Sequence, residues 1–325
     1  MLTRELLSSA QPVIRHISDT ARWAAVYRAH EAGRTDALFN DPFARGLAGE
    51  RGEEIASALP FHNQQSWSWV TRTYLFDQFI REQIQLGVNL VVNLAAGLDA
   101  RPYRMALPTS LVWIEVDLPE ILDYKEEILR SEKPSCVLER VRLDLANVAA
   151  RRALFDALGK RASKALIVSE GFLAYLTATE VGVLAEDLAR PDAFERWVLD
   201  IMSPGLLRMV QRNTQAQFSQ NVSSLKFAPD SGPQFFAEHG WQPVDVRSIL
   251  KTAARLKRLT VGMRLLALLP ESRTKVGSRP WSGVCLVRRG SHPGDSGSLR
   301  PLVRASSVAV SGSQARGLPG ATRKK

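Results

Sequence analysis

Residues 89–104 read Asn89-Leu-Val-Val-Asn-Leu-Ala-Ala-Gly-Leu-Asp-Ala-Arg-Pro-Tyr-Arg104. The run into Leu94 has the composition of a buried parallel strand, and the small residues after it stop the strand in a tight loop. Ala95, Ala96 and Gly97 carry almost no side chain, so a ligand can come close to the backbone there. The next apolar run, Leu111-Val-Trp-Ile-Glu-Val-Asp117, ends with carboxylates at alternate positions. Asp117 follows Gly97 by twenty residues, near the offset at which nucleotide-binding α/β units set an acid on ribose hydroxyls. The stretch reads as the opening of a Rossmann-like, nucleoside-binding α/β enzyme.

A structural reading fits the same residues. Ala-Ala-Gly is not the glycine fingerprint of dinucleotide sites, and a small-residue turn after one strand is a weak signal. Asp117-Leu-Pro-Glu120 also describes a helix start, with Asp as N-cap, Pro in the first turn and Glu at the third position. Glu115 and Asp117 point to the same side of a strand, so either suits a ligand. On spacing alone both readings stand.

Working outward, strand and helix alternate, the pattern of a parallel sheet covered on both faces. Strands are expected at Asn89–Leu94, Leu111–Asp117, Val137–Leu143, Ala165–Ser169, Trp197–Met202, Trp241–Val246 and Pro280–Val287. Upstream, helical pattern runs from Ile17 to about Leu47, and Asp41-Pro42 marks a helix start. His62 to Leu86 reads as a long amphipathic helix with Trp69, Thr73, Phe76, Ile80 and Ile84 on its buried stripe. Arg72 lies on the shoulder of that stripe, where snorkelling is the plain reading. Pro119 to Arg130 is helical, and Thr177-Ala-Thr-Glu180 is a capping box opening a helix that ends near Arg190. Between Ser203 and Gly240 little periodic signal is present. Lys251 to Leu269 reads as one basic amphipathic helix with Lys251, Arg255 and Arg258 on one face. That pattern fits a solvated face on a packed helix, or a membrane or nucleic-acid contact.

The chain has 325 residues, 45% of them hydrophobic, and a net charge of +10. That length can bury a sizeable core. The charge sits in two stretches. Residues 246–270 hold six cations and no acid, and residues 291–325 hold six cations against Asp295. The rest is near neutral, which does not argue for a broad nucleic-acid footprint. After Arg289 the composition turns to Ser, Gly, Pro, Ala and Arg without aromatics, so a disordered basic tail is expected. No apolar run approaches the roughly 20 residues that span a bilayer, and Met1–Ala25 has no signal-peptide core. Met1–Pro12 is expected to fray. Cys136 and Cys285 lack metal-ligand spacing and read as buried reduced thiols. A cytoplasmic protein without membrane attachment is expected.

Leu94-Ala-Ala-Gly-Leu-Asp-Ala-Arg-Pro-Tyr-Arg104 resembles the first motif of the leucine carboxyl methyltransferase family, which uses S-adenosylmethionine. Ile114-Glu-Val-Asp-Leu-Pro-Glu-Ile121, Asp144-Leu145 and Ser169-Glu-Gly-Phe-Leu-Ala-Tyr-Leu176 agree in order and spacing. So do Ser18-Asp-Thr-Ala21, Asp41-Pro-Phe-Ala44 and Arg72-Thr-x-x-x-Asp77. The resemblance covers roughly residues 17 to 287. It implies a class I methyltransferase: a mostly parallel seven-stranded sheet with helices on both faces, closed by an antiparallel strand. The domains expected are an N-terminal helical cap over 1–86, the cofactor-binding domain over 87–290 and the tail over 291–325.

For the site, the resemblance implies that Ala95 and Gly97 approach the cofactor and that Asp117 takes the ribose diol. Asp144 and Leu145 reach the adenine, Arg72 pairs with the methionyl carboxylate, and Glu170 ends the fourth strand at the site. Each has a bland alternative: Asp144 as a turn or helix cap, Glu170 as a loop acid. Tyr175 is the one candidate for touching the acceptor, and a packed core tyrosine is its alternative. No metal is expected, and no Ser-His-Asp, Cys-His or metal constellation appears. The leading expectation is O-methylation of a small-molecule carboxylate or hydroxyl, since the Leu-Asp-Ala-Arg form of the first motif looks bacterial. The alternatives are a protein C-terminal carboxyl methyltransferase and an RNA-associated or non-enzymatic member. Oligomeric state and a catalytic base are not legible.

Overall fold

The computed structural model describes residues 13, 14, 16–58, 62–214, 225–271, 277 and 279–290. The strands are β1 (Leu90–Leu94), β2 (Val112–Asp117), β3 (Val137–Arg142), β4 (Ala165–Ser169), β5 (Phe194–Met202), β6 (Trp241–Ser248) and β7 (Ser282–Arg289). They form one seven-stranded sheet in the order β3-β2-β1-β4-β5-β7-β6. β1 to β5 pair in parallel, and β7 runs antiparallel to both of its neighbours, β5 and β6. The mostly parallel sheet expected from the sequence forms, with its antiparallel strand at 282–289.

Every residue of β1 and β4 is buried, as central strands covered on both faces require. Alternate side chains enter two cores. Leu90, Val92 and Leu94 join Phe155, Leu184 and Trp197 on one face. Val91 joins Phe76, Phe79, Ile80 and Trp113 on the other.

The helices supply those covers. They are α1 (Ile17–Ala32), α2 (Ala44–Ala58), α3 (His62–Gln85), a single turn α4 (Arg101–Arg104), α5 (Pro119–Ile128), α6 (Val148–Arg161), α7 (Ala178–Ala189), α8 (Pro204–Thr214), α9 (Ile249–Arg255) and α10 (Val261–Leu266). α6 and α7 pack on the first face, α3 and the start of α9 on the second. α1, α2 and α5 share a third cluster around Trp23, Tyr27, Leu47 and Leu122. Thr177 caps α7 with the reciprocal box to Glu180 read from the sequence.

Several expectations are corrected. The helix drawn from Ile17 to Leu47 is two, with the break at residues 33–43, and the second begins two residues after Pro42. The silent interval after Ser203 holds α8 and a 3-10 segment, Gly232–His239. The basic helix over 251–269 is interrupted. α9 ends at Arg255, and Lys257 adopts a left-handed conformation with φ +57. The Lys257 and Arg258 N–H groups donate to Ala254 O and Ala253 O, the Schellman closure that glycine usually makes. The charged face dissolves with the helix, because Arg258 turns to Glu31 of α1 and to Asp36 just beyond it. Asp117 does not cap α5, whose N-cap is Leu118 with Pro119 following.

The expectations for Met1–Pro12 and for the tail after Arg289, apart from its first residue, fall outside the described residues. No helix among the described residues is long and apolar enough to cross a membrane.

Candidate functional site

The C-terminal ends of the parallel strands open into a cavity of about 1180 Å³. Ala95 and Gly97 reach it from the turn after β1, and Asp117 from the end of β2. Asp144 and Leu145 follow β3, while Glu170 and Tyr175 follow β4. Arg72 enters from α3. All eight residues singled out in the sequence therefore line one space.

The turn after β1 is bent hard. Ala95 has φ +50 and Gly97 φ +49, the left-handed region that alanine rarely occupies. That bend aims the Gly97 N–H at Asp117, whose Oδ2 accepts it at 2.6 Å. Oδ1 accepts the Leu118 N–H at 2.8 Å. Burial pushes the Asp117 carboxyl up, against the pull of these two N–H groups. Glu115, two residues earlier, is used differently. It is fully buried against Lys125 Nζ at 2.6 Å and Arg140 Nε at 2.9 Å, and it does not line the cavity. Asp144 Oδ1 accepts the Ala146 N–H at 2.9 Å, so it caps its turn while facing the cavity.

Arg72 is not a snorkelling surface residue. Its guanidinium lies 4.7 Å from the Trp69 ring and donates to Glu170 Oε1 at 3.2 Å and Asp200 Oδ2 at 3.4 Å. Burial opposes its charge, and Asp200 and Glu170 outweigh burial, so its pKa is raised. Burial likewise raises Glu170, but Arg101 and Arg72 bring it below the ordinary range. Tyr175 is raised by burial, against a hydrogen bond to Thr20.

Three participants carried no assigned role at the sequence level. Arg101, only 2% exposed, donates to Asp77 Oδ1 at 2.7 Å, Asp99 Oδ2 at 2.8 Å and Glu170 Oε2 at 2.8 Å. Asp99 also accepts from Asn93 at 2.9 Å. Asp200 accepts the Gly171 N–H at 2.7 Å and is raised by burial despite Arg72. The signal was present: Asp200 is a lone carboxylate inside the apolar run Trp-Val-Leu-Asp-Ile-Met, and such a charge is not buried without a partner. Among the described residues no group of His, Cys, Asp or Glu could hold a metal ion, and both cysteines are free and buried.

Residues 21–189 match the family model described as leucine carboxyl methyltransferase. A Mycobacteroides abscessus protein, named as a candidate S-adenosyl-L-methionine-dependent methyltransferase, is 31% identical over 271 residues, 76% of this chain and 89% of that one. A Mycobacterium tuberculosis protein named in the same way is 34% identical over 180 residues, 50% of this chain and 58% of its own length. Among solved structures, a DUF574 family protein from Streptomyces avermitilis superposes with TM-score 0.49 at 13% identity, covering 84% of this chain and 97% of that one.

Proposed function

The chain belongs to the leucine carboxyl methyltransferase family and is an S-adenosylmethionine-dependent methyltransferase, and from that premise we propose that it O-methylates a small molecule bearing a carboxylate or hydroxyl. The observation that carries this reading is the convergence of all eight sequence-derived residues on one cavity beyond the strand ends, where open α/β sheets take their ligands.

The donors and acceptors present fit the cofactor. Asp117 uses one lone pair of each oxygen on backbone N–H groups, which leaves acceptor capacity for a ribose diol. The bent turn at Ala95–Gly97 has no bulky side chain to hold a ligand off. Leu145, with the Asp144 carboxylate beside it, offers an apolar wall and an acceptor for an adenine. Arg72 gives only two of its five N–H donors to Glu170 and Asp200, so a methionyl carboxylate can take the others. Glu170, held by Arg72, Arg101 and Thr73, stays anionic beside a cationic amino-acid end. When bound, S-adenosylmethionine supplies a methyl carbon already activated by positive sulfur. The residues then have one task, to hold an acceptor oxygen in line with that carbon, and alignment is worth roughly 7–11 kcal/mol. Tyr175, anchored to Thr20, is the side chain we assign to the acceptor.

Two measurements test this. Purified protein given methyl-labelled cofactor and a cell extract should pass label to the organic-soluble fraction. Label confined to protein would support C-terminal carboxyl methylation instead. In binding assays, wild type should prefer S-adenosylhomocysteine strongly over methylthioadenosine, which lacks the amino-acid end. Arg72→Ala should shrink that preference, and equal weakening of both ligands would remove Arg72 from the carboxylate.

A further inference from the structure

The cavity has two unlike halves. Toward β1, β2 and β3 its polar lining is backbone and carboxylate, from Ala95, Gly97, Asp117 and Asp144. Toward β5 and α8 the lining is largely apolar, with Ile201, Met202, Leu206, Met209, Val210 and Leu225. α8 contributes Leu206, Met209 and Val210 to this lining, and Met209 is 42% exposed. The cation lining that half, Lys226, faces Glu180.

Asp200 stands at the seam between the halves, one residue before the apolar lining begins. Arg72 and Arg101 serve Glu170, Asp200 and Asp99, and Arg101 also touches Asp77, which Arg104 pairs. Two guanidiniums thus hydrogen-bond three carboxylates at the seam, and Lys125 and Arg104 add positive charge beside Asp99. A carboxylate acceptor would add another anion beside Asp200, at a cost that grows as water is excluded. A hydroxyl would instead donate to it. Asp200 gives Oδ1 to the Gly171 N–H and holds Arg72 only at 3.4 Å through Oδ2, so it keeps acceptor capacity.

We propose that the acceptor is an amphiphile whose apolar body lies along α8 and whose reacting group is a neutral hydroxyl hydrogen-bonded to Asp200. Burial raises the proton affinity of Asp200, which strengthens it as an acceptor. The proposal rests on the cofactor reading above, because it gives the β1–β3 half to the nucleoside.

Matched probes test it on the full chain in the presence of S-adenosylhomocysteine. 4-Octylphenol should bind at least ten-fold tighter than 4-octylbenzoate, measured by calorimetry. Asp200→Asn should reduce that ratio to less than three-fold. Met209→Glu and Val210→Asp should weaken octylphenol at least ten-fold and leave S-adenosylhomocysteine within two-fold of wild type. Equal or tighter binding of octylbenzoate by wild type would overturn the hydroxyl assignment without any variant. Unchanged octylphenol affinity in the α8 variants would overturn the apolar-body assignment. Failure of wild type to bind S-adenosylhomocysteine, with octylphenol selectivity and its dependence on Asp200 retained, would overturn the cofactor reading and with it the role as methyl acceptor, while supporting the amphiphile site at Asp200 and α8.

Discussion

Replacing Arg101 with methionine would leave Asp77, Asp99 and Glu170 without the cation that all three touch. Breaking a buried charge set by removing one partner costs about 3–5 kcal/mol, so Arg101→Met should lower the melting temperature sharply. The pH dependence gives the sign. Burial pushes each of the three carboxyls up, and the neighbouring guanidiniums outweigh it, so their folded pKa values lie below the ordinary range. Their stabilisation is complete above the unfolded value of about 4 and is lost as pH falls through the lowered folded values. The variant lacks that stabilisation, so its gap to wild type should narrow on acidification. A gap that stays constant from about pH 7 to 3 would mean that Arg101 acts by packing alone. Asp117 and Glu115 separate in the same way. Asp117→Ala should weaken S-adenosylhomocysteine by about 1.5–3 kcal/mol, the range for hydrogen bonds to charged groups. Glu115→Ala strips the fully buried Lys125 of its partner and should cost stability while leaving the affinity of the folded protein intact. Melting temperature and affinity measured on both variants decide this. Asp117 was legible because a strand-end acid and a small-residue turn lie twenty residues apart. The links that tie Arg101 and Asp200 to the rest of the site run to Glu170 and Arg72, 69 and 128 positions away, and no local pattern encodes such pairs.

Among elements, the central strands were legible nearly to the residue because an apolar run buried on both faces has no other use. Boundaries set by chemistry outside the run were not. β5 starts at Phe194, three residues before the expected Trp197: Arg196 is polar yet pairs with Leu166, and Glu195 sits at the register shift between Phe194 and Arg196. The break between α9 and α10 was invisible for a sharper reason: the left-handed position that ends α9 holds lysine where glycine would have announced it. An L-residue in that conformation costs about 1–2 kcal/mol. Lys257→Gly should therefore raise stability by about 1 kcal/mol, since glycine adopts the conformation freely although it loses more chain entropy. Lys257→Val should lower stability. Thermal melts of the pair check both signs, and a stability loss in Lys257→Gly would mean that the lysine side chain is used.

At the scale of the whole chain, the strand–helix alternation and the motif order gave the fold class, and the antiparallel strand came from resemblance alone. Every described residue of the sheet and of the cavity lies before Gly290. A chain ending at Gly290 is thus expected to bind S-adenosylhomocysteine with unchanged affinity by calorimetry. A large loss of affinity or of folded protein would refute that. The place of β7 has a consequence for the order of events during synthesis. Among the described residues β6 pairs with no strand except β7, and β7 also covers the open flank of β5. The ribosome makes β7 last of the seven, so until residue 289 has left the exit tunnel β5 presents a bare edge and β6 has no partner at all. Unpaired edges invite pairing with other chains, which makes the final strand the step at which a nascent chain either completes its sheet or aggregates.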